Sequence, residues 1–280
     1  MTVAPPPARF AQACLLMAPI EDSSSFLWGS GAGPEAVADE LARIDHFDAD
    51  LGRGLAASFP IHRAGVRRRH HDLPGALREL TEETAAWLER DAFVLTLGGE
   101  HTVTLGPLEA VVGRYGPVGL VQLDAHGDLR GSYEGDRYSH ACAMRHAVED
   151  LGVRLVGLGV RSMCQEEAEL ASSRDDIAHL WPRQIVADPG AVARALDALP
   201  PLVYLTIDMD VFDPTVCPGV GTPEAGGLRW EHVAAIVDSV AATRRIVGAD
   251  VVELAPSVER DRSVRLAARV ALRVLLQSTT

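Results

Sequence analysis

The stretch Val118-Gly-Leu-Val-Gln-Leu-Asp-Ala-His-Gly-Asp128 decides the fold, because an apolar run ends in three side chains that can bind a metal ion. An apolar run of this length, rich in branched side chains, predicts a buried β-strand. Two other runs end in the same way: residues 202–207 precede Asp208-Met-Asp210, and residues 93–97 precede Gly98-Gly-Glu-His101. Three predicted strands therefore deliver six candidate ligands to their carboxyl ends.

The spacing within each cluster predicts that its side chains converge. In an extended strand, side chains two residues apart lie on the same face. The Asp and His side chains of the Asp-x-His-x-Asp pattern therefore lie on one face, and so do the two Asp side chains of Asp-x-Asp. Four carboxylates brought together repel one another and take up protons unless cations are present. Two divalent ions would balance four negative charges and leave two neutral imidazole donors. The candidate metal ligands are His101, Asp124, His126, Asp128, Asp208 and Asp210.

The chemistry of the donor set favours a particular kind of ion. It contains oxygen and nitrogen but no thiolate, which favours Mn²⁺ or a similar ion over a structural zinc. Each member has a simpler explanation alone: an Asp-x-Asp after a strand is often a helix cap, and a single histidine is usually surface or core filler. The joint occurrence of three clusters at strand ends favours two Mn²⁺ ions per chain and a hydrolytic site.

Length and composition indicate one soluble domain. At 280 residues with 47% hydrophobic side chains and no Ser/Gly-rich linker, the sequence predicts a flexible tail over residues 1–9 and a single domain over residues 10–280. The net charge of −13 argues against nucleic acid and anionic membranes, and suits a cationic ligand. The basic stretch 63–71 is interpreted as a solvated loop or a subunit contact.

The cysteines and the N-terminus bear on the cellular compartment. Four cysteines are scattered without a Cys-x-x-Cys motif, which favours a reducing cytoplasm. The proline-rich first ten residues do not resemble a signal peptide, and no later segment has the apolar length of a membrane span. We therefore expect a cytoplasmic protein with no membrane partner.

Hydrophobic periodicity predicts alternating strands and helices. Such alternation predicts an α/β fold with a mostly parallel sheet, helices on both faces and ligand sites beyond the carboxyl ends of the strands. The predicted strands are 14–20, 93–97, 118–123, 153–159, 202–207 and 246–254, and the predicted helices are 34–44, 74–89, 104–114, 140–151, 166–173, 190–198, 229–243 and 263–277.

Seven segments, from about residue 93 to the C-terminus, resemble in order and spacing those of the ureohydrolases. That family includes arginases, agmatinases, guanidinobutyrases, proclavaminate amidinohydrolase and formiminoglutamases. The segments are Gly98-Gly-Glu-His101, Asp124-Ala-His-Gly-Asp128, Tyr138-Ser-His140, Gly159-Val-Arg-Ser162, Asp208-Met-Asp-Val-Phe-Asp-Pro214, Gly221-Thr-Pro-Glu-Ala-Gly-Gly227 and Val252-Glu-Leu-Ala-Pro256.

The resemblance implies a three-layer α/β/α fold, of the kind that arginases share with deacetylases, and a binuclear manganese centre that hydrolyses a guanidino or formimino group. It implies that His101, Asp124, Asp128 and Asp208 bind one ion, and that His126, Asp124, Asp208 and Asp210 bind the other. It also implies a metal-held hydroxide as nucleophile, and assembly into a homo-trimer or homo-hexamer.

Two further residues match catalytic positions of the family. His140 stands where the family has a proton-shuttling histidine, and an uncoordinated imidazole that titrates near neutrality suits protonation of a leaving amine. Glu253 matches the glutamate that pairs with the substrate guanidinium, and a carboxylate can form two parallel hydrogen bonds with that group. Without the motif order, a surface loop and a plain salt bridge would explain these two residues equally well.

The substrate is less well defined than the reaction. Arginases have an acidic residue where the segment Gly159-Val-Arg-Ser-Met-Cys164 has an uncharged cysteine, so we expect arginine to be a poor substrate and agmatine a good one. Arg130 and Arg137 could instead repel a cationic tail or bind an acidic one. The alternatives are guanidinobutyrase, arginase or formiminoglutamase activity, a non-catalytic metal-binding homologue, and a one-metal deacetylase.

Overall fold

The computed structural model describes residues 9–66, 72–188 and 190–279. Within these residues, eight strands form one sheet in which every pairing is parallel, so the predicted mostly parallel sheet is confirmed. The predicted tail lies outside the described residues except for Arg9, and so do residues 67–71 of the basic stretch.

The elements alternate along the chain as the periodicity predicts. The strands are β1 (Ala13–Ala18), β2 (Phe47–Asp48), β3 (Arg53–Gly54), β4 (Ile61–Gly65), β5 (Phe93–Gly98), β6 (Gly119–Leu123), β7 (Arg154–Leu158), β8 (Ile177–Leu180), β9 (Leu202–Asp208) and β10 (Arg245–Val252). The helices are α1 (Gly33–Leu41), α2 (Leu73–Leu88), α3 (Leu105–Tyr115), α4 (Ala143–Glu149), α5 (Gln165–Ser173), α6 (Pro182–Ala187), α7 (Gly190–Leu196), α8 (Trp230–Thr243) and α9 (Asp261–Thr279).

The order of strands in the sheet is β4-β1-β5-β10-β9-β6-β7-β8, and β2 pairs with β3 as a separate hairpin. The four central strands, β5, β10, β9 and β6, are almost wholly buried. Strands covered on both faces read as continuous apolar runs, and this explains why the sequence identified them so readily. The same four strands carry the candidate site.

Helices cover both faces of the sheet, which confirms the three-layer α/β/α prediction. Helices α1, α7, α8 and α9 pack on one face and share one apolar core, while α2, α3 and α4 cover the other. Helix α2 begins where Asp72 caps it by accepting a hydrogen bond from the backbone N–H of Gly75, with Pro74 in its first turn. None of the helices among the described residues is long and apolar enough to cross a membrane.

The sequence missed the outer elements. The edge strands β4 and β8, the β2–β3 hairpin and the short helix α6 were not predicted. Strand β4 is half exposed and reads Ile-His-Arg-Ala-Gly, so it lacks the apolar run that marks the central strands. The predicted helix 140–151 is shorter in the structure, because residues His140–Cys142 form a 3₁₀ turn before α4 begins.

A buried arginine ties α9 to its neighbours and provides a test of the fold. Arg273 Nη1 donates to Asp48 Oδ2 at 2.6 Å, and its Nε donates to Asp238 Oδ1 at 3.0 Å. Removing the guanidinium would leave two partly buried carboxylates without their cationic partner. Arg273→Leu should therefore lower the free energy of unfolding by about 3 kcal/mol. Urea denaturation measures this free energy of unfolding. Arg194→Leu, which removes an exposed pair with Asp188, is the control and should change stability little; equal losses in both variants would contradict this packing.

Candidate metal centre and active site

The four central strands bring their carboxyl ends to one place on the molecule. His101 opens a 3₁₀ turn after β5, Asp124 follows β6, Asp208 ends β9, and Glu253 follows β10. All four side chains are buried. Because these strands are neighbours in a parallel sheet, residues far apart in the sequence meet at a single edge.

The first group of candidate ligands surrounds one ring nitrogen of His101. His101 Nδ1 lies 3.0 Å from Asp124 Oδ2, 3.0 Å from Asp128 Oδ2 and 3.5 Å from Asp208 Oδ2. The ligand atoms of His101, Asp124 and Asp128 lie close enough together to hold one metal ion. Asp208 Oδ2 lies farther from His101 Nδ1 than the other two carboxylate oxygens do, and Asp208 is not part of this group.

The second group shares a member with the first. His126 Nδ1 lies 3.0 Å from Asp210 Oδ2 and 3.6 Å from Asp124 Oδ1, and the ligand atoms of these three residues could also hold one ion. The two oxygens of Asp124 therefore face different histidines. A carboxylate so placed suits a bridge between two ions.

Hydrogen bonds behind His101 fix which of its ring nitrogens faces the carboxylates. Thr206 Oγ1 donates to Asp250 Oδ1 at 2.6 Å, and it lies 2.8 Å from His101 Nε2. Since the hydroxyl proton goes to Asp250, Thr206 accepts a hydrogen bond from the Nε2–H group, and Nδ1 is the ring nitrogen left to face the cluster. Nδ1 faces the carboxylates of Asp124 and Asp128. Burial alone would lower the pKa of His101, but these carboxylates raise it well above its ordinary value, so a proton occupies this position when no metal ion does. A cation there would replace that proton and take the Nδ1 lone pair. The residues present thus fit a bound metal ion.

The electrostatics lead to the same conclusion. Burial, with the charges of Asp210 and Asp124 next, raises the pKa of Asp208 well above its ordinary value. Burial and the Asp124 charge raise the pKa of Asp128 to about 7. The polypeptide alone disfavours full ionisation of this cluster, whereas divalent ions would favour it.

The backbone places the side chains differently from the prediction. The Asp-x-His-x-Asp pattern is not extended throughout, because Asp128 has a left-handed φ of 52°. Asp210 does not continue β9 either: it lies in the 3₁₀ turn Met209–Val211, where its N–H donates to Asp208 Oδ1 at 2.7 Å. The shared-face explanation was therefore wrong for these two residues, although the predicted convergence occurs.

Arg161 fixes the loop that carries Asp210. Its Nη2 donates to the carbonyl oxygens of Asp210 and Glu224, each at 2.8 Å, and its Nη1 donates to that of Gly159 at 3.2 Å. A guanidinium offers several donors in one plane and can join separate loops in this way. The arginine of the Gly-x-Arg motif thus connects the loop after β7 to the loops after β9.

His140 and Glu253 both lie beside the two groups. His140 is half-buried and lines a cavity of about 280 Å³ together with His126 and Asp128. Glu253 lies deeper, and its Oε1 accepts a hydrogen bond from the His101 N–H at 2.8 Å. Glu253 also has a left-handed φ of 62°, a conformation that costs a residue with a side chain about 1 kcal/mol or more and persists where function or packing requires it.

The predicted substrate residues also line the cavity. Arg130 and Cys164 are both in its wall, with Tyr133 and Glu167. The Arg130 guanidinium stacks on the Tyr133 ring at 5.0 Å, and its Nε lies 3.9 Å from Glu167 Oε2. Arg137, by contrast, lies outside the wall and pairs with Asp150 at 3.8 Å.

Glu167 is a site residue that the sequence reasoning overlooked. It is buried, and its two oxygens accept hydrogen bonds from the N–H groups of Leu129 and Cys164 at 2.9 and 2.7 Å. It thereby holds the loop after Asp128 against the start of α5. The available signal was its position three residues after Cys164, the spacing of a helix capping interaction.

Comparison with known proteins identifies the family. The model of the arginase family matches residues 11–277. The chain belongs to the arginase family. The resemblance stated from the seven segments is therefore confirmed.

Similar proteins include ureohydrolases and agmatinases. The chain is 36% identical to the N(1)-aminopropylagmatine ureohydrolase of Synechocystis sp., with 88% of this chain and 83% of that protein covered. It is 30% identical to the agmatinase of Bacillus subtilis, with 95% and 91% covered. The crystal structure of the agmatine ureohydrolase of Thermoplasma volcanium superposes with a TM-score of 0.86 at 27% identity, covering 96% of this chain and 90% of that one.

Metal binding by this arginase-family site should stabilise the fold. Ions that bind only the native state raise its stability by about 2.7 kcal/mol per site at a free concentration of 100 Kd. Mn²⁺ should therefore raise the Tm, and EDTA should reverse the rise, as measured by calorimetry. Asp128→Asn should lose much of the rise, whereas Asp197→Asn, an exposed aspartate, should keep it. An equal Tm with and without Mn²⁺ would contradict a metal site here.

Proposed function

We propose that this chain hydrolyses the guanidino group of a linear, agmatine-type substrate to urea and an amine, with two Mn²⁺ ions per chain. The observation that carries the proposal is the carboxylate of Asp124, which faces a different histidine with each oxygen, next to a cavity that His126 and Asp128 line. Membership of the arginase family supports the same reaction class.

The chain provides donors of the kind that manganese takes. The predicted first site comprises His101, Asp124, Asp128 and Asp208, and the predicted second site comprises His126, Asp124, Asp208 and Asp210. The close groups support these assignments except for Asp208, whose Oδ2 lies 3.5 Å from His101 Nδ1. A bound pair of ions lowers the pKa of water and so supplies hydroxide at neutral pH. Oxygen and imidazole donors without thiolate suit Mn²⁺.

Glu253 is placed to hold a guanidinium. Its burial, together with the nearby Glu100, raises the pKa of its carboxyl group well above the ordinary value. A guanidinium beside it would restore the ionised form, since opposite charges in a buried site favour each other. The two parallel hydrogen bonds of such a pair would fix the substrate carbon in one orientation. The left-handed backbone at Glu253 holds the carboxylate in place for this contact.

His140 is placed to move a proton to the leaving amine. It lines the cavity but is not part of either group of candidate ligands among the described residues. Burial lowers its pKa to about 4, so the ring is neutral at neutral pH and can accept a proton. Once protonated, it is a strong enough acid to give that proton up to an amine.

Arg130 and Cys164 support an agmatine-type substrate over an amino acid. The uncharged thiol offers no partner to an α-ammonium group. The Arg130 guanidinium is stacked on Tyr133 and close to Glu167, so part of its charge is already matched inside the protein. This favours agmatine over 4-guanidinobutyrate, the acid that Arg130 could otherwise bind. N(1)-aminopropylagmatine is a second candidate, favoured by the 36% identity to a ureohydrolase of that name.

Three further expectations stay proposals: a single domain over residues 10–280, a cytoplasmic location, and a homo-trimer or homo-hexamer. The four cysteines, all within the described residues, form no disulfide, and this fits a cytoplasmic location. A non-catalytic homologue is disfavoured because none of the six candidate ligands, His140 or Glu253 is missing. The deacetylase alternative needs only one ion, and two groups of ligands argue against it.

The substrate is tested by urea release from the Mn²⁺-loaded protein. Agmatine or N(1)-aminopropylagmatine should give a kcat/KM at least about 10²-fold above that of arginine, because a charged head group would be desolvated without partners. The panel includes 4-guanidinobutyrate and, with formamide and ammonia detection, formiminoglutamate. If arginine or 4-guanidinobutyrate were the best substrate, the interpretation of Cys164 or Arg130 would be wrong.

His140→Asn tests the proton transfer. The variant should keep both metal ions, measured by elemental analysis, while kcat falls by about 10²–10⁴-fold, the usual contribution of general acid–base catalysis. His62→Asn, a substitution at an exposed histidine, is the control and should have normal activity. Loss of metal from His140→Asn would reassign the residue as a ligand, and an unchanged kcat would remove it from the reaction.

A further inference from the structure

A serine-rich loop, Asp22 to Ser25, is fastened to the edge of the sheet next to the candidate site. The anchor is Glu100, which is fully buried and immediately precedes His101. Glu100 Oε2 accepts hydrogen bonds from the N–H groups of Asp22 and Ser23, each at 2.7 Å, and from Ser23 Oγ at 3.1 Å. One carboxylate oxygen therefore fixes both the loop and the hydroxyl group of Ser23.

The Ser23 hydroxyl also contacts His140 from two directions. The His140 backbone N–H donates to Ser23 Oγ at 2.9 Å, and the ring Nδ1 lies 3.2 Å from the same oxygen. Ser139 Oγ lies somewhat farther from Nδ1, at 3.4 Å. On the other side of the ring, Nε2 lies 3.4 Å from Ser25 Oγ, in the cavity wall.

A count of protons determines the direction of these bonds. Glu100 Oε2 accepts from two N–H groups and so carries no proton itself. The single hydroxyl proton of Ser23 lies within reach of this oxygen and of His140 Nδ1, and it goes to Glu100 because a carboxylate oxygen is the stronger acceptor. Ser23 Oγ has then no proton left for His140, and it must accept. The ring nitrogen that faces it, Nδ1, must carry a proton, since two acceptors 3.2 Å apart would repel.

We propose that Ser23 and Glu100 are positioning residues that hold neutral His140 with its proton on Nδ1 and the Nε2 lone pair directed to the cavity wall beside Ser25. The inference rests on the proposed role of His140 in proton transfer. Nε2 takes up the proton that the attacking water gives up and passes it to the leaving amine, while Ser23 continues to accept from Nδ1 in both states. The ring therefore gains and loses its proton without rotating.

The position of the ring proton is tested directly, without reference to activity. The probe is solid-state ¹⁵N NMR of histidine-labelled protein, loaded with diamagnetic Zn²⁺ in place of paramagnetic Mn²⁺. The His140 signals are assigned by comparison with His140→Asn. They should show a protonated Nδ1 and an unprotonated Nε2. Ser23→Ala should shift His140 towards the opposite or a mixed tautomer. A proton on Nε2 in the unmodified protein, or a shift caused by Ser139→Ala and not by Ser23→Ala, would overturn the proposal.

A kinetic double-mutant cycle tests the consequence with the Mn²⁺-loaded protein and its best substrate. Ser23→Ala should lower kcat about tenfold or more, within the range that misplacement of a catalytic group can cost, with KM and metal content little changed. Ser23→Thr, which keeps the hydroxyl, should recover most of the rate. Ser24→Ala is the control in the same loop, since its hydroxyl lies 3.4 Å from Glu21 Oε1.

The cycle separates this proposal from the one on which it rests. In a His140→Asn background, Ser23→Ala should cost nothing further, because its effect acts through the ring. An equal loss in both backgrounds, or loss of metal, would mean that Ser23 only supports the loop. If His140→Asn itself retained full activity, the proposed function of His140 would fail, and the NMR result would still decide the tautomer.

Discussion

Mutual repulsion among buried carboxylates is the constraint on which the rest of this structure depends. Asp124, Asp128, Asp208 and Asp210 all lie within the protein at one edge of the sheet, where water cannot screen their charges. Such a cluster is stable only with protons or with cations among its oxygens. His101 Nδ1, which lies 3.0 Å from two of these carboxylates, holds either a proton or a cation at this position.

The parallel sheet is what makes this concentration of charge possible. The four central strands run in one direction and end together, so each contributes its next residues to one small volume. Groups behind them restrict the freedom of the side chains: Thr206 and Asp250 orient His101, and Arg161 holds the turn of Asp210. The site is thus built on rigid strand ends and supported from below, as precise positioning of reacting groups requires.

The sequence predicted the central part of this structure and failed at its periphery. Strand β6 was recognisable because it is buried throughout and is apolar except for Gln122, whereas β4 is half exposed and has no such run. The six candidate ligands were recognisable from their spacing after strands. The contact between Ser23 and His140 was not, because these residues are 117 positions apart and meet only in the folded chain. The left-handed backbone at Asp128 was not either, since glycine is the residue that usually marks such a conformation and this position is an aspartate.

The central claim is that two cations share the Asp124 carboxylate. Anomalous X-ray diffraction from crystals of the Mn²⁺-loaded protein, recorded above and below the manganese absorption edge, tests it most directly. The account predicts two manganese peaks per chain, one beside His101 and one beside His126, with Asp124 between them. A single peak, or peaks remote from these histidines, would contradict it.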